Sequence, residues 1–201
     1  SHTCTGSNLL LFVFVYLNNI GTDDVSGITY NSVSMTRLSD GILSFNGTTI
    51  YGYYLAAPST GANNISVSFT GTRGGTIKGL SYTGCRQTGI SDSYTDKTQA
   101  LGASPFDQPT TVVASNCWIA GVVSAGAGIE MVGGTGTTIR DTEGNQSWSI
   151  DSNGTVGTGS QTLQTTWTGD VLPGGMVASF APFLVTAARR AANIGLLKVG
   201  S

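Results

Sequence analysis

The sequence predicts an all-β fold: an antiparallel β-sandwich followed by a short C-terminal helix or apolar tail. Three observations carry this. Apolar residues recur at period two in short runs, with little sign of the 3.6 period of a helix. Gly, Asn, Pro and Ser fall between the runs, where they fix or release φ and make turns. The residues left to coat the solvent face are hydroxyls. Ser and Thr make up roughly a quarter of the 201 residues and charged residues 10%, against about 25% charged in ordinary globular chains. No linker-like break interrupts the chain, so one domain is expected over 1–181, with 182–201 as a tail.

The pattern centres on 49–70. Tyr51, Tyr53 and Leu55 alternate on one run, and Ile65, Val67 and Phe69 on the next. The turn-rich A-P-S-T-G-A-N-N lies between them, so the two runs are expected to pair as an antiparallel hairpin. Residues 9–16 are almost continuously apolar, as a strand covered on both faces is. A polar loop with Asn18, Asn19, Gly21, Asp23 and Asp24 follows. Residues 27–38 read as a tighter hairpin. Ile28 and Tyr30 precede Asn31-Ser32, Val33 and Met35 follow it, and Asn31 suits a positive φ.

Further on, 76–82 reads as a strand. Residues 88–108, with Asp92, Tyr94, Asp96, Lys97, Phe106 and Asp107, show little periodicity and read as a long binding loop. Runs 110–114 and 117–125 are expected to pair, split at Ser115-Asn116. Gly126, Gly128, Gly133, Gly134 and Gly136 mark a flexible region around Glu130. Residues 137–140 and 146–150 are placed as partners across D-T-E-G-N, and Asn153-Gly154 is a turn. Runs 163–167 and 176–180 close the sandwich. The chain then changes in kind. Residues 182–195 read as a short helix, with Pro182 in the first turn and Gly195 as the cap. So short a helix is marginal alone. Phe183, Leu184, Leu196 and Leu197 are therefore expected to dock on the domain or on a neighbour.

Two stretches, V-S-G-I-T-Y-N-S-V-S-M-T-R-L (25–38) and Y-G-Y-Y-L-A-A-P-S-T-G-A-N-N-I-S-V-S-F (51–69), carry a resemblance. They are similar to a β-sandwich repeat module of secreted and surface proteins of bacteria and of bacteriophage virion proteins. That module resembles the jelly-roll, concanavalin-like sandwiches. Gly84-Cys85-Arg86-Gln87-Thr88 matches its G-x-x-Q-T turn, and 175–182 its last strand, so the likeness spans roughly 1–182. Three departures stand out. Asn31-Ser32 replaces Asn-Gly, Cys85 replaces an aliphatic residue, and the module's usual first strand is missing before Ser1. The resemblance implies a jelly-roll-like fold and a place on a virion or extracellular surface.

Several chemistries are poorly served. Net charge is -2, and the nine Lys and Arg form no basic run, which disfavours a nucleic-acid partner. The apolar run at 8–16 falls short of the roughly 20 residues that span a bilayer. It also lacks the basic region and cleavage site of a signal peptide, so membrane insertion is not expected. The chain begins on Ser1 without Met, which reads as a processed product or a fragment. Cys4, Cys85 and Cys117 are an odd number. They read as free thiols packed like small apolar groups, or as one disulfide plus one thiol. His2 is the only histidine, so any Ser-His-Asp or Cys-His centre would have to use it, and histidine metal clusters are excluded.

The eleven acids fall mostly in turn contexts, where a carboxylate bonds the local backbone. A pair of acids for glycoside hydrolysis is kept only because the fold class permits it. No cofactor is expected beyond a structural calcium ion. Asp141, Glu143 and Asn145, or Asp23-Asp24, would supply its oxygens. Among the aromatics on or near strands, Tyr53 and Tyr54 are adjacent and must point to opposite faces. Core packing is one reading of them. A sugar-stacking surface formed with Tyr94, Asp92 and Asp96 is the other. Four Asn-x-Ser/Thr triplets begin at Asn46, Asn64, Asn145 and Asn153 and matter only if the source glycosylates. Together these features point to a non-enzymatic structural or display module that self-associates, with a carbohydrate-binding or adhesion module as the alternative.

Overall fold

The computed structural model describes residues 1–18, 23–72, 74–102, 104–125, 129–141 and 146–183. Among these there is no helix, and therefore none long and apolar enough to cross a membrane. The first half contains β1 (His2–Cys4), β2 (Leu10–Leu17), β3 (Val25–Tyr30), β4 (Val33–Ser34), β5 (Thr36–Phe45), β6 (Thr48–Ala56), β7 (Gly61–Asn63), β8 (Ile65–Phe69) and β9 (Gly75–Tyr82). The second contains β10 (Ser91–Thr98), β11 (Phe106–Val112), β12 (Trp118–Ser124), β13 (Val132–Gly133), β14 (Thr138–Ile139), β15 (Ser147–Asp151), β16 (Gly159–Thr166) and β17 (Gly174–Phe180).

These strands form four main sheets that stack as layers. In order they are β4–β3–β8, β5–β6–β2–β9, β10–β17–β12–β15–β14 and β11–β16–β13, with the small β1–β7 pair beside the first. All pairings are antiparallel. Three cores separate the layers. Leu11, Val13, Val15 and Leu17 of β2 face Val25, Ile28 and Tyr30 of β3. The alternate residues Leu10, Phe12, Phe14 and Tyr16 face Ala120, Val122, Met176, Ala178 and Phe180. Beyond them Ile119, Val123, Trp148, Ile150 and Val177 face Phe106, Val112, Leu163 and Trp167. The unbroken apolar run of β2 follows directly: both of its faces are covered, so neither can be polar.

The two halves share one pattern of nesting. In the first, β2 pairs with β9, β3 with β8 and β5 with β6. In the second, β10 pairs with β17, β11 with β16 and β12 with β15. They differ in how the outer and inner pairs join: through β6 and β2 in the first, and through β17 and β12 in the second. The halves meet over an aromatic cluster. Phe12 and Phe180 have ring centroids 5.1 Å apart, Tyr82 and Phe180 4.7 Å, and Tyr82 and Trp118 5.4 Å. The turn at 84–88 ties the connection down. Cys85 bridges to Pro182, the Gly84 and Cys85 amides donate to Ser7 and Asn8, and Gln87 Nε2 donates to the Leu9 carbonyl.

Several expectations hold. β9, β15, β16 and β17 lie where runs were placed, and β14 pairs with β15. The β3–β4 hairpin turns at Asn31 and Ser32, with φ of 48° and 63°. Others are corrected. The runs 49–56 and 65–69 do not pair, because β6 lies between β5 and β2 while β8 lies on β3, in another layer. The residues between them form a crossover that carries β7. Alternation placed Tyr51 and Tyr53 of β6 and Ile65 and Val67 of β8 toward one core, but the other side of β6, with Ile50, is covered as well, Phe69 is exposed, and the partners differ. Residues 88–108 are not a loop but hold β10 and the start of β11. The side chains of β10 that face β11 are hydroxyls, with Ser93 Oγ 2.7 Å from Thr110 and 2.8 Å from Ser179, and Tyr94 packs against the core on the other side, so no apolar period marks the strand. β11 and β12 do not pair with each other; β11 joins β16, and β12 lies between β17 and β15. Gly133, placed in the flexible region, is in β13. Pro182 does not open a helix: it is in a β-bridge, and the Phe183 amide donates to the Gly84 carbonyl. The rest of the expected helix, with Leu184, Leu196 and Leu197, lies outside the described residues.

Candidate functional site

The aromatic residues singled out for ligand binding pack inside. Tyr53 is 4% exposed in the core between the first two layers, and its hydroxyl accepts from Arg37 Nε at 2.9 Å. Tyr54 and Tyr94 pack from opposite sides against the core between the halves. Asp96 is exposed on β10, while the side chain of Asp92 lies outside what is described. The structure therefore does not gather the four described residues on one surface. Phe183, the one described residue of the docking set, is 44% exposed.

Several of the described acids are held by neighbours. Asp23 makes a two-pronged pair with Arg37, at 2.7 and 3.1 Å, and the Arg37 guanidinium stacks over Tyr51 and Tyr53. The pair with Asp23 raises the Arg37 pKa further above its usual value. Asp24 is buried and accepts from the Thr70 hydroxyl at 3.1 Å. Asp141, the first residue of the expected calcium loop, is ion-paired with the buried Lys78. Glu143 and Asn145 lie outside the described residues, among which no group of three His, Cys, Asp or Glu is placed to hold a metal. Asp151 is buried where the halves meet. It accepts from Arg140 Nε at 2.7 Å and from the Tyr82 hydroxyl at 3.1 Å. Burial first, then the Asp151 charge, pushes the Tyr82 phenol well above its usual pKa.

Possible nucleophiles are similarly placed. All three cysteines are buried and free, and no disulfide forms. Burial pushes the Cys85 thiol up to about 12, which keeps it protonated and unreactive. His2 Nε2 lies 3.0 Å from the Ser81 hydroxyl, and its ring covers Gly79. No hollow opens at this pair among those described. The contact seats β1 on β9.

Described residues line at least two surface hollows. One, of about 420 Å³, is lined by Ile129, Glu130, Val132, Thr166, Trp167 and Thr168 beside β13. The other, of about 300 Å³, is lined by Asn31, Ser32, Ala62, Asn63, Asn64 and Ser66. The second is built where two turns meet. The Asn31 amide donates to the Asn64 carbonyl at 3.1 Å, joining the β3–β4 turn to the β7–β8 connection. Beneath it the Tyr30 hydroxyl donates to the carbonyls of His2 and Gly61 and accepts from Asn63 Nδ2. Sequence reading marked Asn31 and Asn63 as turn formers, and Asn64 as a turn former and the start of an Asn-x-Ser triplet. Nothing local in the chain says that turns about thirty residues apart share a wall.

No family model matches this chain, and neither a curated protein nor a solved structure does.

Proposed function

We propose that this chain is a non-enzymatic structural or display module of a virion or extracellular surface, which assembles with copies of itself through the margins of its sheets. The observation that carries the reading is where the exposed apolar side chains lie. Of seven large ones among the described residues, four are on edge strands: Val33 on β4, Phe69 on β8, Ile77 on β9 and Val132 on β13. Edge strands offer unpaired backbone groups, and natural monomers usually guard them with charge or proline. Here the edge strands β4, β8 and β13 carry neither charge nor proline, and only 10% of the chain is charged.

Supporting features agree. The carboxylates of Asp23, Asp141 and Asp151 are paired with cations, a use suited to rigidity rather than turnover. The strand orders β10–β17–β12–β15–β14 and β11–β16–β13 of the second half support reading it as a jelly-roll sandwich. A structural or adhesive role fits that architecture, although fold alone does not decide function.

Size-exclusion chromatography with light scattering on the full chain tests the proposal. The chain is expected to associate, and Phe69→Lys or Val132→Lys to shift it toward monomer with its circular dichroism unchanged. A monomer at the highest soluble concentration would end the assembly reading.

A further inference from the structure

The geometry points to a binding site for a neutral saccharide in the hollow bounded by Asn31, Ser32, Asn63, Asn64 and Ser66. The hollow is about 300 Å³, at the small end of the roughly 300–1,000 Å³ range of ligand sites. No charged residue lines it. There is no cation to hold an anion and no carboxylate to hold a metal or an amine. An apolar ligand would strand the amides and hydroxyls, at a cost comparable to lost hydrogen bonds. What remains complementary is a neutral group that both donates and accepts, and a sugar ring presents several such hydroxyls side by side.

The donors and acceptors are fixed before any ligand arrives. Asn31 Nδ2 donates to Ser59 Oγ at 3.1 Å, and Asn63 Nδ2 donates to the Thr60 carbonyl at 3.2 Å and to Tyr30 Oη at 3.3 Å. With both amide nitrogens held by the protein, the Asn31 and Asn63 amides present their oxygens as acceptors. The Asn64 amide and the hydroxyls of Ser32 and Ser66 make no hydrogen bond with another described group, so they supply both donors and acceptors. Such preorganisation lowers the ordering cost of binding. The surface continues along the sheet: Ser34, Thr29 and Ser66 stand in register across β4, β3 and β8. A longer glycan would run along that row of hydroxyls. No aromatic ring lines the hollow, so one copy binds weakly and affinity on a surface comes from many copies at once.

The site needs no second copy, so it and the assembly reading fail separately. The full chain, labelled with nitrogen-15, is titrated with methyl glucoside, methyl galactoside, methyl mannoside and N-acetylglucosamine. The expected result is saturable shifts of the Asn31, Asn63 and Asn64 signals with at least one of them. The double variant Asn64→Ala, Ser66→Ala should then bind at least about fivefold more weakly, as loss of one or more hydrogen bonds implies. Both side chains are exposed, so the fold and melting temperature should not change. No saturable shift with any of the four sugars, or shifts that the double variant leaves intact, would overturn the site.

Discussion

The side-chain amide of Gln108, on β11, lies against the bare α-carbon of Gly175, on β17. A Cβ at Gly175 would collide with Gln108 Oε1 and come within 2.6 Å of the Val122 carbonyl oxygen. The preceding residue does the same on the other side: a Cβ at Gly174 would stand 2.6 Å from the Phe45 ring. Two consecutive glycines thus let one central strand approach the layer above and the layer below. Gly175→Ala is expected to lower unfolding free energy by about 1–3 kcal/mol, the usual cost of overpacking. The Gln108 amide is 1% exposed and makes no hydrogen bond with another described group. Gln108→Met keeps the shape and removes that buried polar group, so it should stabilise by about 1 kcal/mol. Urea unfolding of both variants checks the pair of opposite signs. Destabilisation by Gln108→Met would mean that the amide is satisfied after all.

Two acid–arginine pairs should separate by burial. Asp151 is 2% exposed and is shared by Arg140, the Tyr82 hydroxyl and the Asn153 amide. Removing it leaves a phenol and a guanidinium without their acceptor at the seam between the halves. Asp151→Ala should cost about 3 kcal/mol, as broken buried pairs do. The Asp23 carboxylate is 46% exposed, and although its geometry with Arg37 is two-pronged, water can replace it. Asp23→Ala should cost under about 1 kcal/mol. Equal losses in chemical denaturation would mean that burial is not what distinguishes them.

What the sequence revealed of the fold was local. β2 could be read because both its faces are apolar, and the β3–β4 turn because Asn31 tolerates a left-handed φ. Partners could not be read. The alternation of Tyr51 and Tyr53, and of Ile65 and Val67, puts these side chains in one core, and the same alternation serves whether β6 and β8 pair or lie in adjacent layers. β10 was invisible because its side chains toward β11, Ser93 and Thr95, are as polar as a loop, and Tyr94 on the other side stands without an apolar neighbour at period two. The hollow was half legible. Its asparagines stood out, but their meeting depends on the hydrogen bond from Asn31 to Asn64, a tertiary fact.

The β3–β4 turn carries a local cost. Ser32 has φ of 63° and Asn31 of 48°. Asn takes this region readily, while Ser pays a steric penalty that Gly avoids. Ser32→Gly is expected to raise stability by about 0.5–1 kcal/mol, and Asn31→Ala to lower it by a similar amount. Thermal melts of the two variants check both signs. A lower melting temperature for Ser32→Gly would mean that the Ser32 side chain contributes a contact worth more than the strain.

Acid should loosen the N-terminal strand. The His2 ring is half-buried over Gly79. Burial first, then the charge of the chain's amino terminus, lowers its pKa below the ordinary value of 6.5. The folded state therefore prefers neutral imidazole, and the unfolded chain binds more protons just below pH 6.5. Stability contributed by this contact is present above that pH and is lost as pH falls through the folded-state value. β1 is held by its pairing with β7, and the Tyr30 hydroxyl donates to the His2 carbonyl. Hydrogen exchange at β1 and β7, corrected for intrinsic rates, should accelerate on acidification below pH 6.5, and His2→Gln should remove most of the difference. Because Tyr30 and Gly61 underlie the asparagine hollow, saccharide binding should weaken over the same range. Protection that stays constant across that range in the unaltered chain would show that His2 does not set the attachment of β1.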